Sequence, residues 1–279
     1  MTQTATQNRS VTTNVDALKA QLKATWMDGN YDYFSRFMES SAVEFLDRLN
    51  VPAGARFLDV ACGSGQLGLL AARRGARVTG VDIASNLVAA ARGRATADGL
   101  DANFDEGDAE DLPYADASFD VVATLFGAMF APQPQRVVAE MLRVTKPGGT
   151  IAMANWTKEG FVGTMFKTFA RFIAPSGMPA PVLWGDEAIV RERFGAGLSP
   201  LRMTRVIYQF RYPFPPDGVV EFFRAHYGPA TRAFAALEGD DRETLRTALV
   251  NLWGSQNQAV EPGRTIVDAE YLEVIGTRA

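Results

Sequence analysis

Apolar runs and helical patterns alternate along most of this chain. Phe57-Leu58-Asp59-Val60 reads as a buried strand that ends in the turn Ala61-Cys62-Gly63-Ser64-Gly65. A helix is expected over residues 66–74 with a glycine stop at Gly75, and Arg77-Val78-Thr79-Gly80-Val81-Asp82 reads as a second strand. Strand, helix and strand in that order make a βαβ unit, and with it a parallel sheet. A helix over 86–97, a segment opening at Ala102, a strand over 119–124 and a strand over 149–155 continue the alternation. Before the first strand, Val15, Leu18, Leu22 and Trp26 have helical spacing over 15–27. Gly29-Asn30-Tyr31-Asp32-Tyr33 breaks that pattern, and a second helix is expected over 34–49, packing Phe37, Met38, Phe45 and Leu46. After residue 156 comes a connection longer than a compact link needs. It contains an amphipathic candidate helix at 161–173 and a Pro/Gly/Met segment at 175–185. A helix over 186–194 begins at a capping-type Asp186. The alternating stretch 203–212 reads as a sixth strand, 217–258 as helices broken at Gly228-Pro229 and near Gly239, and 265–278 as the last strand.

The chemistry concentrates at the ends of these strands. Gly63, Gly65 and Gly68 spell G-x-G-x-x-G, a spacing shared with dinucleotide sites. Glycine there lets a ligand sit directly on the backbone. Asp59 argues against a pyrophosphate, which a helix N-terminus attracts and a carboxylate repels. A ligand with a cationic centre suits both features, and S-adenosylmethionine carries a sulfonium and an ammonium. Asp82, at the end of the second strand, is placed to accept ribose hydroxyls, a device that dehydrogenases share. A third acidic segment follows, Gly107-Asp108-Ala109-Glu110-Asp111-Leu112-Pro113.

The order FLDVACGSG, VTGVD, GDAEDLP, FDVVAT and LRVTKPGG closely resembles the class I S-adenosylmethionine-dependent methyltransferases, over about residues 50–156. Within them it is similar to the methyltransferase type 11 group, which includes the ubiquinone and menaquinone C-methyltransferases and many small-molecule methyltransferases. The resemblance implies a three-layer Rossmann-like α/β fold. Its seven strands would run in the order 3-2-1-4-5-7-6 with the last antiparallel, accompanied by N-terminal helices and a helical substrate lid. The corresponding division is a disordered tail at 1–14, an N-terminal lid at 15–50 and a cofactor core at 51–156. A lid insertion at 157–185 and a C-terminal part at 186–279, with a helical cap at 217–258, complete it. The implied cofactor is S-adenosyl-L-methionine, leaving S-adenosyl-L-homocysteine as product. By the same resemblance Asp82 takes the ribose and Asp108 the adenine amino group, with a backbone contact from Ala109. The backbone at Thr124 and Leu125 meets the methionine ammonium. Asp59, Ala61, Gly63, Ser64, Gly65 and Ile83 complete the implied cofactor set. Tyr31 or Tyr33 either closes on the methionine end or anchors its helix to the core. Cys62 corresponds to a position where the family commonly has a small packing residue.

The expected acceptor wall is apolar and aromatic: Phe126, Met129, Phe130, Trp156, Phe161, Met165, Trp184, Phe222 and Phe223, with Tyr227 beside it. Such a wall suits a small apolar or aromatic molecule, although the same residue types also build ordinary cores. His226, the single histidine, is the candidate general base. Many relatives have a His pair after the fourth strand, where this chain has Phe126-Gly127-Ala128-Met129-Phe130. The Asn-Pro-Pro-aromatic box of amide N-methyltransferases is absent from that position.

Composition narrows the partners. The 279 residues are 47% hydrophobic and 22% charged, ordinary for a globular chain with one large core. A net charge of −4 without a Lys/Arg run offers nothing to nucleic acid. No run approaches the ~20 apolar residues of a membrane span, and the polar first 14 residues hold no signal-peptide core. One cysteine permits no internal disulfide and fits a reducing cytoplasm. No metal site is expected, and the pattern leaves the oligomeric state open. The leading expectation is methyl transfer to a small organic acceptor. The alternatives are a nicotinamide-dependent oxidoreductase, a protein that binds S-adenosylmethionine without turnover, and a protein side-chain methyltransferase.

Overall fold

Five segments form parallel strands, β1 (Arg56–Val60), β2 (Arg77–Asp82), β3 (Ala102–Glu106), β4 (Phe119–Leu125) and β5 (Thr145–Trp156), and all but the edge strand β3, which buries Phe104 alone, are apolar runs with both faces to bury. Phe57, Leu58, Val122, Ala123 and Ile151 are wholly inaccessible, the pattern of strands covered by helices on both sides. The computed structural model describes residues 3–173 and 177–279, with side chains from Asn14 onward. β6 (Leu198–Tyr212) and β7 (Thr265–Arg278) complete one sheet in the order β3-β2-β1-β4-β5-β7-β6. β7 runs antiparallel to both β5 and β6, as the resemblance implies. β5 and β6 start earlier than the pattern predicted, since the strand conformation extends to Thr145 and Leu198.

Eleven α-helices flank the sheet among the described residues. Those nearest the glycine turn are α4 (Gln66–Arg73) and α5 (Ser85–Ala97). Leu69, Val88, Ala91 and Phe104 pack with Cys62 in a small cluster under that turn. Gly80 in β2 is required there, because a Cβ would lie 2.4 Å from the Phe104 ring.

The N-terminal region departs from the pattern. α1 (Gln3–Trp26) begins before the predicted Val15 and covers most of the segment expected to be unstructured, while Met1 and Thr2 lie outside the described residues. The single helix predicted over 34–49 is divided into α2 (Tyr31–Ser35), a 3₁₀ turn (Arg36–Met38) and α3 (Glu39–Leu49). α2 starts inside the predicted break because the Asn30 side chain accepts the Tyr33 N–H and caps it.

α6 (Pro134–Val144) lies between β4 and β5 in sequence. α7 (Phe161–Ala170) follows β5 and sets Phe161 against Trp253, with ring centroids 4.4 Å apart. Residues 174–176, which include the first two of the Pro/Gly/Met segment, lie outside the described residues. α8 (Glu187–Phe194) is capped by Asp186, whose carboxylate accepts from Ala188 and Ile189 N–H. The last helices, α9 (Pro216–His226), α10 (Gly228–Ala235) and α11 (Gly239–Ser255), break near the predicted Gly positions.

Candidate cofactor and acceptor cleft

The turn after β1 is built from residues in left-handed conformation: Ala61 (φ 55°), Gly63 (φ 54°) and Gly65 (φ 86°). Glycine adopts it without steric penalty, and Ala61 pays a local strain. A Cβ at Gly65 would crowd Leu69 and Ala91, whereas one at Gly63 would meet only the Tyr31 ring at 3.5 Å and more distant atoms. Gly65 therefore packs the turn, and Gly63 lies at the cavity wall beneath the Tyr31 ring. Asp59, 2% exposed, accepts the Gly68 N–H at 2.9 Å through Oδ2. Burial lifts its carboxyl to about 8, against the Gly68 bond, and the nearby Asp82 adds to the lift. In the free protein the acid at β1 is thus largely protonated near neutrality, and a cation beside it would draw the proton off.

Asp82 ties two loops together. Its Oδ2 accepts Gly63 N–H at 2.8 Å and its Oδ1 accepts Ala84 N–H at 2.8 Å. Burial raises its carboxyl and bonds from Ala84, Gly63 and Ile83 oppose the rise. Each oxygen keeps lone pairs for a ligand hydroxyl. Asp108, after β3, accepts Glu110 N–H at 2.8 Å through Oδ1 and Lys19 at 2.6 Å through Oδ2. The loop after β4 reaches the glycine turn: a Cβ on Gly127 would lie 2.4 Å from the Ala61 carbonyl oxygen. Phe126 holds a positive φ of 60° and stacks on Trp156 at 3.9 Å.

One cavity joins these groups at the carboxyl edge of the sheet, the usual ligand position in open α/β sheets. Of the expected cofactor residues, Asp59, Ala61, Gly63, Asp82, Ile83, Asp108, Ala109, Leu125 and Tyr31 line it. Ser64, Gly65 and Thr124 do not. Ser64 is buried and accepts from Gln66 Nε2 at 2.9 Å, and Thr124 Oγ1 accepts Ala128 N–H at 3.0 Å. Tyr31, rather than Tyr33, closes over Gly63, and burial with Asp82 nearby pushes its hydroxyl well up.

The expected acceptor wall needs correction. Phe126 and Phe130 line the cavity, but Met129, Trp156, Trp184 and Tyr227 do not. Trp156 backs Phe126, Trp184 carries the Arg193 guanidinium over its ring at 4.3 Å, and Tyr227 backs Trp26 at 5.8 Å. Met129 is a core residue. His226 also stands off the lining. Its ring packs on Tyr33 and Phe222, its buried Nδ1 has no hydrogen-bond partner, and its carbonyl accepts Asn30 N–H. The wall is completed by residues of the segment expected as an N-terminal lid: Lys19, Leu22 and Trp26 of α1, with Ser35 and Met38. Trp26 is their hub, 5.2 Å from Tyr31 and 5.0 Å from Phe130. No local signal marks Lys19, whose acidic partner Asp108 is 89 residues away.

A cleft with three acids, one lysine and an apolar aromatic side suits a ligand with a cationic centre and an apolar neighbour. The methyltransferase-domain family matches residues 58–153. An uncharacterized protein of Mycobacterium tuberculosis is 35% identical over 227 residues, covering 80% of this chain and 82% of its own. The methyltransferase GfsG of Streptomyces halstedii is 37% identical over 139 residues, covering 48% of this chain and 50% of its own. Among solved structures, the YcgJ protein of Bacillus subtilis shares the fold with a TM-score of 0.59 at 19% identity, covering 86% of this chain and 99% of that one. The chain belongs to the class I S-adenosylmethionine-dependent methyltransferases, in the methyltransferase type 11 group.

Proposed function

We propose that this protein transfers a methyl group from S-adenosylmethionine to a small, apolar or aromatic organic acceptor, with S-adenosylhomocysteine as product. The observation that carries the reading is the convergence of Asp59, Gly63, Asp82 and Asp108 on one cavity whose other side is Trp26, Tyr31, Phe126 and Phe130. These residues fit the cofactor: Gly63 brings bare backbone to the cavity wall, and Asp82 and Asp108 retain acceptor lone pairs. In this reading Asp82 accepts from the ribose hydroxyls, Asp108 accepts from the adenine amino group, and Ala109 supplies a backbone contact. Asp59 and the backbone at Leu125 serve the cationic methionine end. When bound, S-adenosylmethionine supplies an electrophilic methyl on sulfur. Tyr31 and Trp26 exclude water from that end, and Phe126, Phe130 and Met38 hold an apolar acceptor in line with it. Such positioning alone supplies much of a methyl-transfer rate.

No base is assigned. His226 is not on the lining, and a base is needed only for an acceptor that arrives protonated and weakly nucleophilic. Among the described residues, Lys19 is the one cation of the lining and is already paired with Asp108, so an anionic acceptor meets no unpaired cation among them. A pyrophosphate cofactor would face Asp82 and Asp108 and, among the described lining residues, no unpaired cation, which weighs against the nicotinamide alternative.

The test is to incubate the protein with S-adenosylmethionine and a panel of small aromatic and aliphatic acceptors and measure S-adenosylhomocysteine by mass spectrometry. Acceptor-dependent product is expected, lost in Asp82→Ala together with at least about tenfold of cofactor affinity, the worth of one to two charge-assisted hydrogen bonds. Full affinity in Asp82→Ala would remove that residue from the ribose site.

A further inference from the structure

α1 is fastened across the cavity edge by lysines. Lys19 Nζ lies 2.6 Å from Asp108 Oδ2 and 2.6 Å from Glu110 Oε2. One turn further on, Lys23 pairs with Glu106. The Glu110 side chain is wholly inaccessible and also accepts the Gln133 N–H and Gln133 Nε2. Lys19 is therefore the cation facing a buried carboxylate, and it extends from that anchor to Asp108 at the cavity wall. Burial works against the Lys19 charge, but the bonds it donates to Asp108 and Glu110, with their negative charges, outweigh it and hold its pKa above the ordinary range.

The consequence falls on Asp108. Its Oδ1 is fixed by Glu110 N–H and its Oδ2 by Lys19, so both ends of the carboxylate are held by donors. Each oxygen retains a lone pair, and what it offers the cavity is acceptor capacity alone. A purine bearing a 6-amino group meets that acceptor with a donor. A purine bearing a 6-oxo group meets it with another acceptor. Rejection of this kind depends on a polar group that cannot turn away.

Building on the adenosyl reading given above, we propose that Lys19 is a positioning residue that fixes Asp108 as an acceptor and thereby sets the preference for 6-aminopurine over 6-oxopurine ligands. Without Lys19 the Asp108 carboxylate, whose side chain is 29% exposed, turns toward solvent and discriminates poorly.

Calorimetric titration of the full chain with S-adenosylhomocysteine and with S-inosylhomocysteine tests this. The wild type prefers the adenosyl ligand by tenfold or more, at about the discrimination one charge-assisted hydrogen bond provides. In Lys19→Met that ratio falls by about tenfold, mostly through weaker adenosyl binding, and Lys19→Arg restores it. Lys19→Met also strands the buried Glu110 charge. The double variant Lys19→Met/Glu110→Gln removes that charge, so it regains thermal stability while keeping the reduced ratio. Equal weakening of both ligands in Lys19→Met, or a wild-type ratio in the double variant, overturns the proposal and leaves Lys19 a structural ion-pair partner. Failure of the wild type to bind either ligand overturns the adenosyl reading itself, and the inference with it.

Discussion

Asp59 carries the most distinctive residue-scale chemistry. Its carboxyl, lifted to about 8 from an ordinary 3.8 by burial, with Asp82 adding to the lift against the Gly68 bond, is protonated in the native protein where the unfolded chain is ionised. A group raised in this way favours folding fully below its unfolded value, and the contribution is lost as pH rises through about 8. The melting temperature of the free protein should therefore fall between pH 5 and about pH 8.5, and Asp59→Asn should flatten that dependence. A cationic ligand reverses the balance by favouring the carboxylate. Binding of S-adenosylmethionine near neutrality should then release a proton, seen as a difference in apparent binding enthalpy between phosphate and Tris buffers. The same proton release in Asp59→Asn would show that it comes from another group. The sequence revealed the acid and the sign of charge it suits. It did not reveal that the acid is raised so far, because that depends on a burial only the closed sheet creates. Lys19 was equally invisible, since helical spacing gives it no role and its partners lie on a distant loop.

At the scale of elements, the sheet was legible because buried parallel strands are short apolar runs with acids at their ends. The acceptor wall was less so. Met129, Trp156 and Trp184 belong to the right segments but face the core, and an aromatic residue type does not say which face it occupies. The His226 expectation met the same limit, for its position at the C-terminus of α9 turns the ring onto Tyr33 and Phe222. The contact between the β1 and β4 loops is more decisive than any of these side chains. A Cβ on Gly127 would strike the Ala61 carbonyl at 2.4 Å, and the struck atom is backbone. Gly127→Ala should cost about 1–3 kcal/mol of stability and weaken S-adenosylhomocysteine binding by shifting the glycine turn. Gly93→Ala, on α5 with open space at its Cβ, should be neutral or stabilise by up to about 1 kcal/mol. Chemical denaturation of both variants with ligand titration checks the contrast, and an unperturbed Gly127→Ala would mean the two loops are not braced on each other.

At the scale of the molecule, the N-terminal helices meet the helices that follow β6. Gly29 bridges to Tyr227, the Cβ position of Gly228 lies 1.9 Å from the Thr25 carbonyl oxygen, and Arg232 pairs with Asp28. Helices that precede the first strand and helices that follow the sixth are thus braced on one another above the cavity. The motif-bearing half of the chain predicts the cofactor, whereas this joint is assembled from segments some 200 residues apart, which is why the surroundings of the cavity were the least legible part of the sequence. The acidic, glycine-floored cavity is proposed as an adenosyl site. Parallel calorimetric titration with S-adenosylmethionine, S-adenosylhomocysteine and NADH tests it most directly. Saturable binding of both adenosyl ligands and none of NADH is the predicted result, and binding of NADH alone would contradict it.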